Sequence, residues 1–397
     1  MILSRKTIKK TRAVARRAME RTVMSLVNGL AYVVDGAAKP TMGNVAKDLV
    51  LKKGKLELWR VRPIERETIE LGHSELDVEL VPRHPVPVLL IPPLMVRPYV
   101  YDLRPEHSMV RALRNAGFDV FIVDFGVPDR ADEGLRLDDY VLDFVPACVN
   151  AAIETSGKPE ITLCGYCMGA IFALLHVATF DDTRVKNLVA IGAPVNFEKM
   201  GILTVATRLG LPFMDRILDR MGNVSGKLSS AGFKLLSGTK AITKYADLFA
   251  NLYDEEYVRG FDAIDTWLSE MIPYPKEAFR QMVKEVVHGN KMLKNELVFH
   301  DPVTKAERHS DLARVKCPLL AFAGRTDNIA TPDSTAAILE LGPSKDKTYR
   351  VVPGGHIGVV AGSAAPRAVW QPMIEWLREQ NQRKSVMDLR AAAQNGE

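Results

Sequence analysis

A short glycine-flanked motif around a cysteine carries the strongest chemical signal in the sequence. It reads Gly165-Tyr166-Cys167-Met168-Gly169, and it follows an apolar run typical of a buried strand and precedes a helical pattern. This context is that of a nucleophile elbow, G-x-S-x-G, with cysteine in the serine position. The glycines let strand and helix approach each other around a strained turn, and a helix N-terminus favours a reactive thiolate. The motif therefore predicts that Cys167 is a nucleophile.

An acid and a histidine follow the nucleophile in the order that this arrangement requires. Asp327 comes just after a predicted strand at 318–323, and His356 comes just after another at 349–352. We predict that His356 accepts the proton of the thiol and that Asp327 fixes the imidazole tautomer and stabilises the imidazolium. We also predict an oxyanion hole formed by the backbone N–H groups of Met168 and Met95.

Each of these signals also has a structural interpretation. The cysteine motif is compatible with a chance match in a buried turn, Asp327 with a turn residue and His356 with a loop residue. Cys164 and Cys167 also form a C-x-x-C pair, a spacing found in redox proteins. The flanking glycines favour the elbow over a redox pair, and the three residues together are harder to explain by coincidence than each alone. The other seven histidines lack such a setting and are interpreted as structural or solvent-exposed: His73, His84, His107, His176, His288, His300 and His309.

Short apolar runs alternate with helical patterns along most of the chain. Predicted strands occupy residues 56–61, 69–71, 86–91, 119–124, 161–164, 189–192, 318–323 and 349–352, and predicted helices occupy 108–116, 137–156 and 168–178. Such alternation is typical of a parallel sheet covered by helices on both faces. Together with the elbow, it predicts the α/β class and, within it, an α/β-hydrolase fold with a mostly parallel sheet.

A long stretch of helix-forming sequence interrupts this alternation. Residues 196–305 lack buried strand runs, and we predict an inserted helical cap there. An insertion at the carboxyl edge of such a sheet lies over the region where ligands bind. The α/β-hydrolase core is then predicted at residues 51–195 and 306–380, and a mobile polar tail at 381–397.

The first 50 residues are predicted to form a basic amphipathic N-terminal arm. Eight lysines and arginines lie within residues 1–21, against the single acid Glu20, and they carry most of the excess positive charge of a chain with net charge +5. Apolar residues recur at helical spacing in its first 35 residues: Ile8, Ala15, Met19, Val23, Leu26 and Leu30. The arm is predicted either to pack on the body or to contact a partner or a hydrophobic surface.

Composition favours a globular protein of the cytoplasm. Of 397 residues, 47% are apolar and 25% charged, which allows a large core without disulfides or metal. Three of the four cysteines fall in predicted strands or helices, which fits a reducing compartment. Polar residues interrupt the apolar stretch at 23–31, which disfavours a secretory signal peptide. No apolar run reaches the ~18 residues that a membrane-spanning helix needs. The body is nearly balanced in charge, so nucleic-acid binding is not expected.

From about residue 50 to 380, the sequence resembles poly(3-hydroxyalkanoate) synthases, most closely the class III catalytic subunit. The resemblance rests on the elbow and on five further stretches: Arg97-Pro98-Tyr99 with Asp102-Leu103, residues 128–132, residues 137–140, Met221-Gly222-Asn223 and residues 354–358. It implies that (R)-3-hydroxyacyl-CoA acylates Cys167 with release of CoA. The 3-hydroxyl of a second unit, activated by His356 with help from Asp327, then attacks the thioester. The resemblance also implies a homodimer, a second synthase subunit and association with the polymer granule surface, with no metal and no cofactor beyond the CoA thioester substrate.

Three residues depart from the family pattern without removing a catalytic group. Ala170 replaces a glycine after the elbow, Phe125 a tryptophan after Asp124, and Asn328 a histidine after Asp327. Ala170 and Asn328 are expected to lie close to the cleft.

Three functions remain open from the sequence. A cysteine acyl-enzyme is itself a thioester, so exchange with a CoA thioester is nearly balanced in free energy and the acyl group stays activated. This favours an acyltransferase that polymerises hydroxyacyl units. A thioesterase or ester hydrolase on the same scaffold is the alternative, with water as acceptor. A granule-surface or scaffold protein that keeps the fold is the third possibility, and the complete set of Cys167, Asp327 and His356 argues against it.

Overall fold

A computed structural model of the chain describes residues 16–28, 42–63, 67–71, 74–78, 84–200, 213–236 and 248–383. Four of the predictions fall wholly or partly outside these ranges. They concern Ile8, Ala15 and Leu30 of the arm, His73, parts of the cap, and all but three residues of the tail.

An eight-stranded sheet forms the centre of the molecule. Its strand order is β1-β2-β8-β5-β9-β10-β13-β14. The strands are β1 (Lys47–Lys53), β2 (Leu56–Val61), β5 (Val88–Ile91), β8 (Val120–Asp124), β9 (Ile161–Tyr166), β10 (Val185–Ile191), β13 (Leu319–Gly324) and β14 (Lys347–Val352). β2 pairs antiparallel with both of its neighbours, and the other pairs are parallel. The predicted mostly parallel sheet is therefore confirmed.

Three short hairpins complete the described strands. They pair β3 (Glu67–Leu71) with β4 (Ser74–Val78), β6 (Asp102–Arg104) with β7 (His107–Ser108), and β11 (Val298–His300) with β12 (Glu307–His309). Two sequence predictions need correction here. β1 begins at Lys47, inside the range 1–50 predicted for the arm. A strand also occurs within 196–305, where no strand run was predicted, because the three residues of β11 are too short to give a pattern.

Helices pack on both faces of the sheet and continue into the region between β10 and β13. Those with complete bounds are α2 (Met109–Asn115), α3 (Leu137–Asp139), α4 (Val145–Ser156), α5 (Met168–Phe180), α7 (Gly226–Leu236), α9 (Glu255–Ser269), α10 (Lys276–Gln281), α11 (Pro332–Ala336), α12 (Gly358–Ala361) and α13 (Gln371–Gln382). The helical residues described for α1, α6 and α8 are 16–28, 213–221 and 248–250. The single helix predicted at 137–156 is instead α3 and α4 joined by a π-helical turn at Tyr140–Phe144, a local widening that the apolar periodicity does not reveal.

Two buried clusters, one on each face of the sheet, form the core. Alternate residues of a strand enter opposite clusters, as Leu89 and Leu90 of β5 do, because successive side chains of a strand point to opposite faces. Helix α5 is buried on nearly all sides, so its apolar sequence shows no single polar face. The elbow that precedes α5 therefore sits on a rigidly packed strand–helix unit.

The part of the chain between β10 and β13 is fastened to the core by buried hydrogen bonds. The Gln281 side chain accepts a 2.9 Å hydrogen bond from the backbone N–H of Leu137. The Asp138 carboxylate, which is 2% exposed, accepts one of 2.6 Å from the backbone N–H of His300. These contacts hold the helical segment over the carboxyl end of the sheet.

Helix α1 contacts the segment that precedes α9. The Asn28 side chain donates to the backbone carbonyl of Leu252 at 2.7 Å, and the Arg21 guanidinium lies 4.6 Å from the centre of the Tyr253 ring. Several apolar side chains of the same helix remain exposed, with Met19 and Leu26 about 70% exposed.

Among the described residues, none of the helices has the length and apolar character needed to span a bilayer.

Candidate active site

Cys167 occupies a sharp turn between β9 and α5. Its backbone angles are φ 52° and ψ −118°, a region that residues with a side chain rarely adopt. The turn is held in place because the Cys167 N–H donates a 2.8 Å hydrogen bond to the carbonyl of Ile191 in the neighbouring strand β10. The thiol is partly exposed, whereas the other three cysteines are buried. The sequence motif thus forms the strained elbow that it predicted.

The two glycines of the elbow are required by close backbone contacts. A Cβ on Gly169 would lie 1.9 Å from the carbonyl oxygen of Ile91, and one on Gly165 would lie 2.3 Å from the backbone nitrogen of Ala170. Real Cβ atoms essentially never approach a heavy atom below 3.0 Å. The first of these contacts also brings the end of β5 against the start of α5.

The close contact between Gly169 and Ile91 places the two predicted oxyanion-hole residues in adjacent segments. Met168 is the first residue of α5, and the N–H groups of the first turn have no partner within their helix. Met95 follows the end of β5, and its carbonyl accepts a 3.0 Å hydrogen bond from the N–H of Ile272. The N–H groups of Met168 and Met95 as oxyanion donors remain a prediction.

His356 and Asp327 form a buried pair at the carboxyl ends of neighbouring strands. Asp327 follows β13 and His356 follows β14, and Nδ1 of the histidine lies 2.8 Å from Oδ2 of the carboxylate. Asp327 is 3% exposed and His356 7%. The other carboxylate oxygen, Oδ1, accepts backbone hydrogen bonds from Ile329 and Ala330 at 2.8 and 2.9 Å. These bonds fix the carboxylate, which in turn directs the Nε2 edge of the ring away from itself.

The protonation of His356 is set by its two charged neighbours. Burial by itself lowers the pKa of His356, but the charge of Asp327, the adjacent Cys167 and the hydrogen bond to Asp327 raise it to about 10. Nε2 is buried and makes no aligned hydrogen bond with a described residue, so the thiol lies within electrostatic reach of the ring without being fully aligned. Such loose contacts are common in sites without substrate. The arrangement supports a protonated imidazole beside the nucleophile.

Aromatic rings enclose the histidine. The Tyr166 hydroxyl donates to the backbone carbonyl of His356 at 3.1 Å, and the two ring centres lie 5.2 Å apart. Phe233 of α7 places its ring centre 5.7 Å from that of His356 on another side. A Cβ on Gly192 would lie 3.6 Å from the imidazole. The site is therefore closed partly by the sheet and partly by the helical segment above it.

Sequence reasoning missed Tyr274, which enters the site from that helical segment. Its hydroxyl donates to Sδ of Met168 at 3.1 Å, and its side chain is 2% exposed. Burial, with smaller contributions from Tyr140 and Cys167, raises the pKa of Tyr274 well above its usual value, so it stays a neutral hydroxyl. A tyrosine between two prolines gave no signal that could have identified it.

Among the described residues, the remaining cysteines and histidines do not contribute to this arrangement. Cys164 is fully buried and burial raises the pKa of its thiol to about 12, which is unsuited to redox chemistry with Cys167. His176 is buried against Asp182 at 3.0 Å, and His107 is buried against Trp370. In the described part of the chain, no group of three or more His, Cys, Asp or Glu side chains is arranged to hold a metal ion.

The three residues that depart from the expected pattern differ in exposure. Ala170 is fully buried within α5, and Phe125 is 9% exposed and packs edge-on against Tyr140 and Phe172. Asn328 is exposed beside the buried Asp327.

Comparison with known proteins supports the fold that carries this site. A family model described as the alpha/beta hydrolase fold matches residues 100–362. A monoglyceride lipase from Saccharomyces cerevisiae, solved as a soluble variant with a substrate analogue, superposes with a TM-score of 0.52 and 14% identity, over 85% of this chain and 98% of the lipase. The predicted α/β-hydrolase fold is confirmed.

Relatives found by sequence similarity indicate a narrower family than the structural neighbour does. The poly(3-hydroxyalkanoate) polymerase subunit PhaC of Allochromatium vinosum is 32% identical, over 74% of this chain and 81% of its own length. The subunit of the same name from Synechocystis sp. is 30% identical, over 85% of each chain. That of Haloferax mediterranei is 31% identical, over 86% of this chain, and the match spans 65% of the haloarchaeal protein.

Proposed function

Because this chain belongs to the poly(3-hydroxyalkanoate) polymerase family, we propose that it is an acyltransferase that polymerises (R)-3-hydroxyacyl-CoA through an acyl group held on Cys167. The observation that carries this proposal is the partly exposed Cys167 on the strained elbow, which interacts electrostatically with an imidazole whose Nδ1 is held by the buried Asp327. A cysteine nucleophile activated by a histidine, which is oriented by an acid, is the general arrangement for covalent acyl transfer.

The first step acylates the enzyme. The thiolate of Cys167 attacks the thioester carbonyl, a carbon–sulfur bond forms to Sγ, and negative charge develops on the carbonyl oxygen. The N–H groups of Met168 and Met95 stabilise that charge in our proposal. As the tetrahedral intermediate collapses, the bond to the CoA sulfur breaks, and the imidazolium of His356 protonates the leaving thiolate. The raised pKa of His356 supports this role, because the ring enters the step already protonated.

The second step transfers the acyl group. Once Cys167 is a neutral thioester, it no longer contributes the negative charge that helped to raise the pKa of His356. The imidazole, now unprotonated, is then a base for the 3-hydroxyl of the next unit. The alkoxide oxygen attacks the Cys167 thioester, an ester bond forms, and the thiolate is released while His356 keeps the proton. Charge and proton return to the starting pair, so the cycle repeats.

Restricted access of water favours transfer over hydrolysis. Phe233 and Tyr274 approach the site from the helical segment, and exclusion of water protects a reactive acyl intermediate. A thioesterase uses the same first step, so the identity of the acceptor separates the two functions.

We also propose that the protein works in the cytoplasm at the surface of polymer granules, as a homodimer with a second synthase subunit. The exposed apolar side chains of α1, flanked by basic residues, support the N-terminal arm as the contact with that subunit or with the granule. The arm also contacts the segment at Leu252 and Tyr253, so its partner would influence the cap. Deletion of residues 1–35 should abolish association with the subunit or with isolated granules, and unchanged association would refute this role.

The proposed function is tested by incubating purified protein with (R)-3-hydroxybutyryl-CoA and identifying both products. Release of CoA together with an insoluble polyester supports the proposal. Release of CoA with an equal amount of free hydroxy acid and no polymer establishes the thioesterase instead. Cys164→Ala is the matched control for Cys167→Ala. It removes a buried cysteine that lies three residues before Cys167 and takes no part in the proposed steps.

A further inference from the structure

Tyr274 is fixed in the site by its own segment of backbone. It exchanges two backbone hydrogen bonds with Val224, of 3.0 and 2.8 Å, and Ile272, two residues earlier, donates to the carbonyl of Met95. Its ring packs edge-on against Phe279 at 5.4 Å. Tyrosine has only two side-chain torsions, so this clamp defines where the hydroxyl points.

The hydroxyl has a poor partner for a buried group. It donates to the thioether sulfur of Met168, which is a weak acceptor. Buried hydroxyls usually find an oxygen or nitrogen partner, and leaving one poorly paired costs free energy. Met168 follows the nucleophile directly, and Cys167 acts electrostatically on the Tyr274 hydroxyl, so this under-used donor lies in the region that an acyl group on Cys167 would enter.

Among the described residues, the surroundings of the hydroxyl are mostly apolar. Tyr274 and Met168 belong to the same buried cluster, against which Met95, Cys167 and Phe233 pack. A polar group of a substrate that enters such a region loses its hydration and must find a partner. The hydroxyl of Tyr274 is a polar group that the described part of the helical segment places next to Met168.

We propose that Tyr274 is a specificity-determining residue that recognises the 3-hydroxyl of the acyl group bound to Cys167. The inference rests on the proposed function. When the acyl group enters, the Tyr274 hydroxyl leaves the sulfur of Met168 and donates to the 3-hydroxyl oxygen. Selectivity follows, because an acyl chain without the hydroxyl leaves Tyr274 with its weak thioether partner, and sites built to bind a substrate hydroxyl discriminate against analogues that lack it.

The experiment compares acylation by two thioesters that differ only in that hydroxyl, (R)-3-hydroxybutyryl-CoA and butyryl-CoA. First-turnover CoA release and the mass of the Cys167-bound acyl group are measured for the wild type, Tyr274→Phe and Tyr349→Phe. The Tyr274→Phe variant should lose about tenfold in kcat/KM for the hydroxylated thioester and change by less than about twofold for butyryl-CoA. Tyr349→Phe removes a hydroxyl that donates to the carbonyl of Pro332, and it should keep the wild-type ratio between the two thioesters.

If Tyr274 had only a structural role, Tyr274→Phe would lower the acylation rates for both thioesters together. That result would overturn the inference, and so would unchanged rates for both thioesters. Equal acylation of the wild type by both thioesters would also overturn it while leaving the proposed function intact, whereas acylation by neither would end both. If Tyr274→Phe does not fold, Met168→Leu decides the matter. That variant removes the sulfur acceptor and keeps the tyrosine, so it should prefer the hydroxylated thioester at least as strongly as the wild type, and a lost preference would contradict the inference.

Discussion

The imidazole of His356 and the carboxylate of Asp327 meet through a 2.8 Å contact that solvent barely reaches. The two residues lie 29 positions apart in the chain, and they meet because β13 and β14 are parallel neighbours whose carboxyl ends share one edge of the sheet. Since Asp327 is also fixed by two backbone N–H groups, the pair is held before any substrate arrives. Its function in orienting and charging the imidazole can be tested directly.

Replacing Asp327 with asparagine should abolish most of the activity. The amide keeps the shape of the carboxylate but removes its charge, so it neither stabilises the imidazolium nor enforces one tautomer. We expect the acylation rate to fall by about 10²–10⁴-fold, with a lowered pKa of His356. Single-turnover CoA release measures the first effect. Asp311→Asn is the control, because Asp311 likewise accepts a backbone N–H, that of Ala313, but takes no part in the site. Activity of Asp327→Asn within about twofold of the wild type would contradict the role.

The raised pKa of His356 predicts how stability depends on pH. A histidine that binds its proton more tightly in the folded state stabilises that state, and the contribution is complete below the unfolded pKa of about 6.5. It is lost as the pH rises through the folded value of about 10. The free energy of unfolding should therefore fall between pH 7 and pH 10 more in the wild type than in His356→Gln. Urea unfolding at several pH values checks this, and parallel curves for the two proteins would show that the pKa is not raised.

The contact between Gly169 and Ile91 predicts a severe effect of one added methyl group. Gly169→Ala would place Cβ against the carbonyl of Ile91, and the backbone must move to relieve the clash. We expect a loss of about 2–4 kcal/mol in the free energy of unfolding, with loss of acylation because Cys167 shifts. Gly232→Ala in α7 meets nothing within 4 Å and should stabilise its helix by up to about 1 kcal/mol. Similar stabilities for the two variants would refute the close packing of the elbow.

Asn223 joins the helical segment to the core, and its removal should let water reach the acyl group. Its side chain donates to the carbonyl of Asp129 at 2.6 Å and accepts from the N–H of Lys276 at 3.0 Å. Asn223→Ala should cost about 1–2 kcal/mol of stability and raise the fraction of substrate released as free acid. Product analysis measures that fraction. Asn115→Ala, which loses only exposed contacts with Arg114, should leave it unchanged. An unaltered product ratio in Asn223→Ala would show that this link does not protect the intermediate.

The sequence predicted the elbow, the acid, the histidine and the class of the fold because these depend on local patterns. A strand, a glycine-flanked nucleophile and a helix follow one another within a few residues, and parallel strands bring the distant acid and histidine to one edge. Other features depend on tertiary contacts. β1 is half-exposed and charged, so it has no buried strand pattern, and Tyr274 reaches Met168 across 106 positions. Nothing in the spacing of residues reveals such a contact.

The most direct test of Cys167 as the residue that carries the acyl group is the reaction of (R)-3-hydroxybutyryl-CoA with the wild type and with Cys167→Ala. CoA release and polymer are measured together. We expect polyester from the wild type, with an acyl group covalently bound to Cys167 during the reaction, and neither CoA release nor polymer from Cys167→Ala. Polymer formation by Cys167→Ala at a rate close to that of the wild type would contradict it.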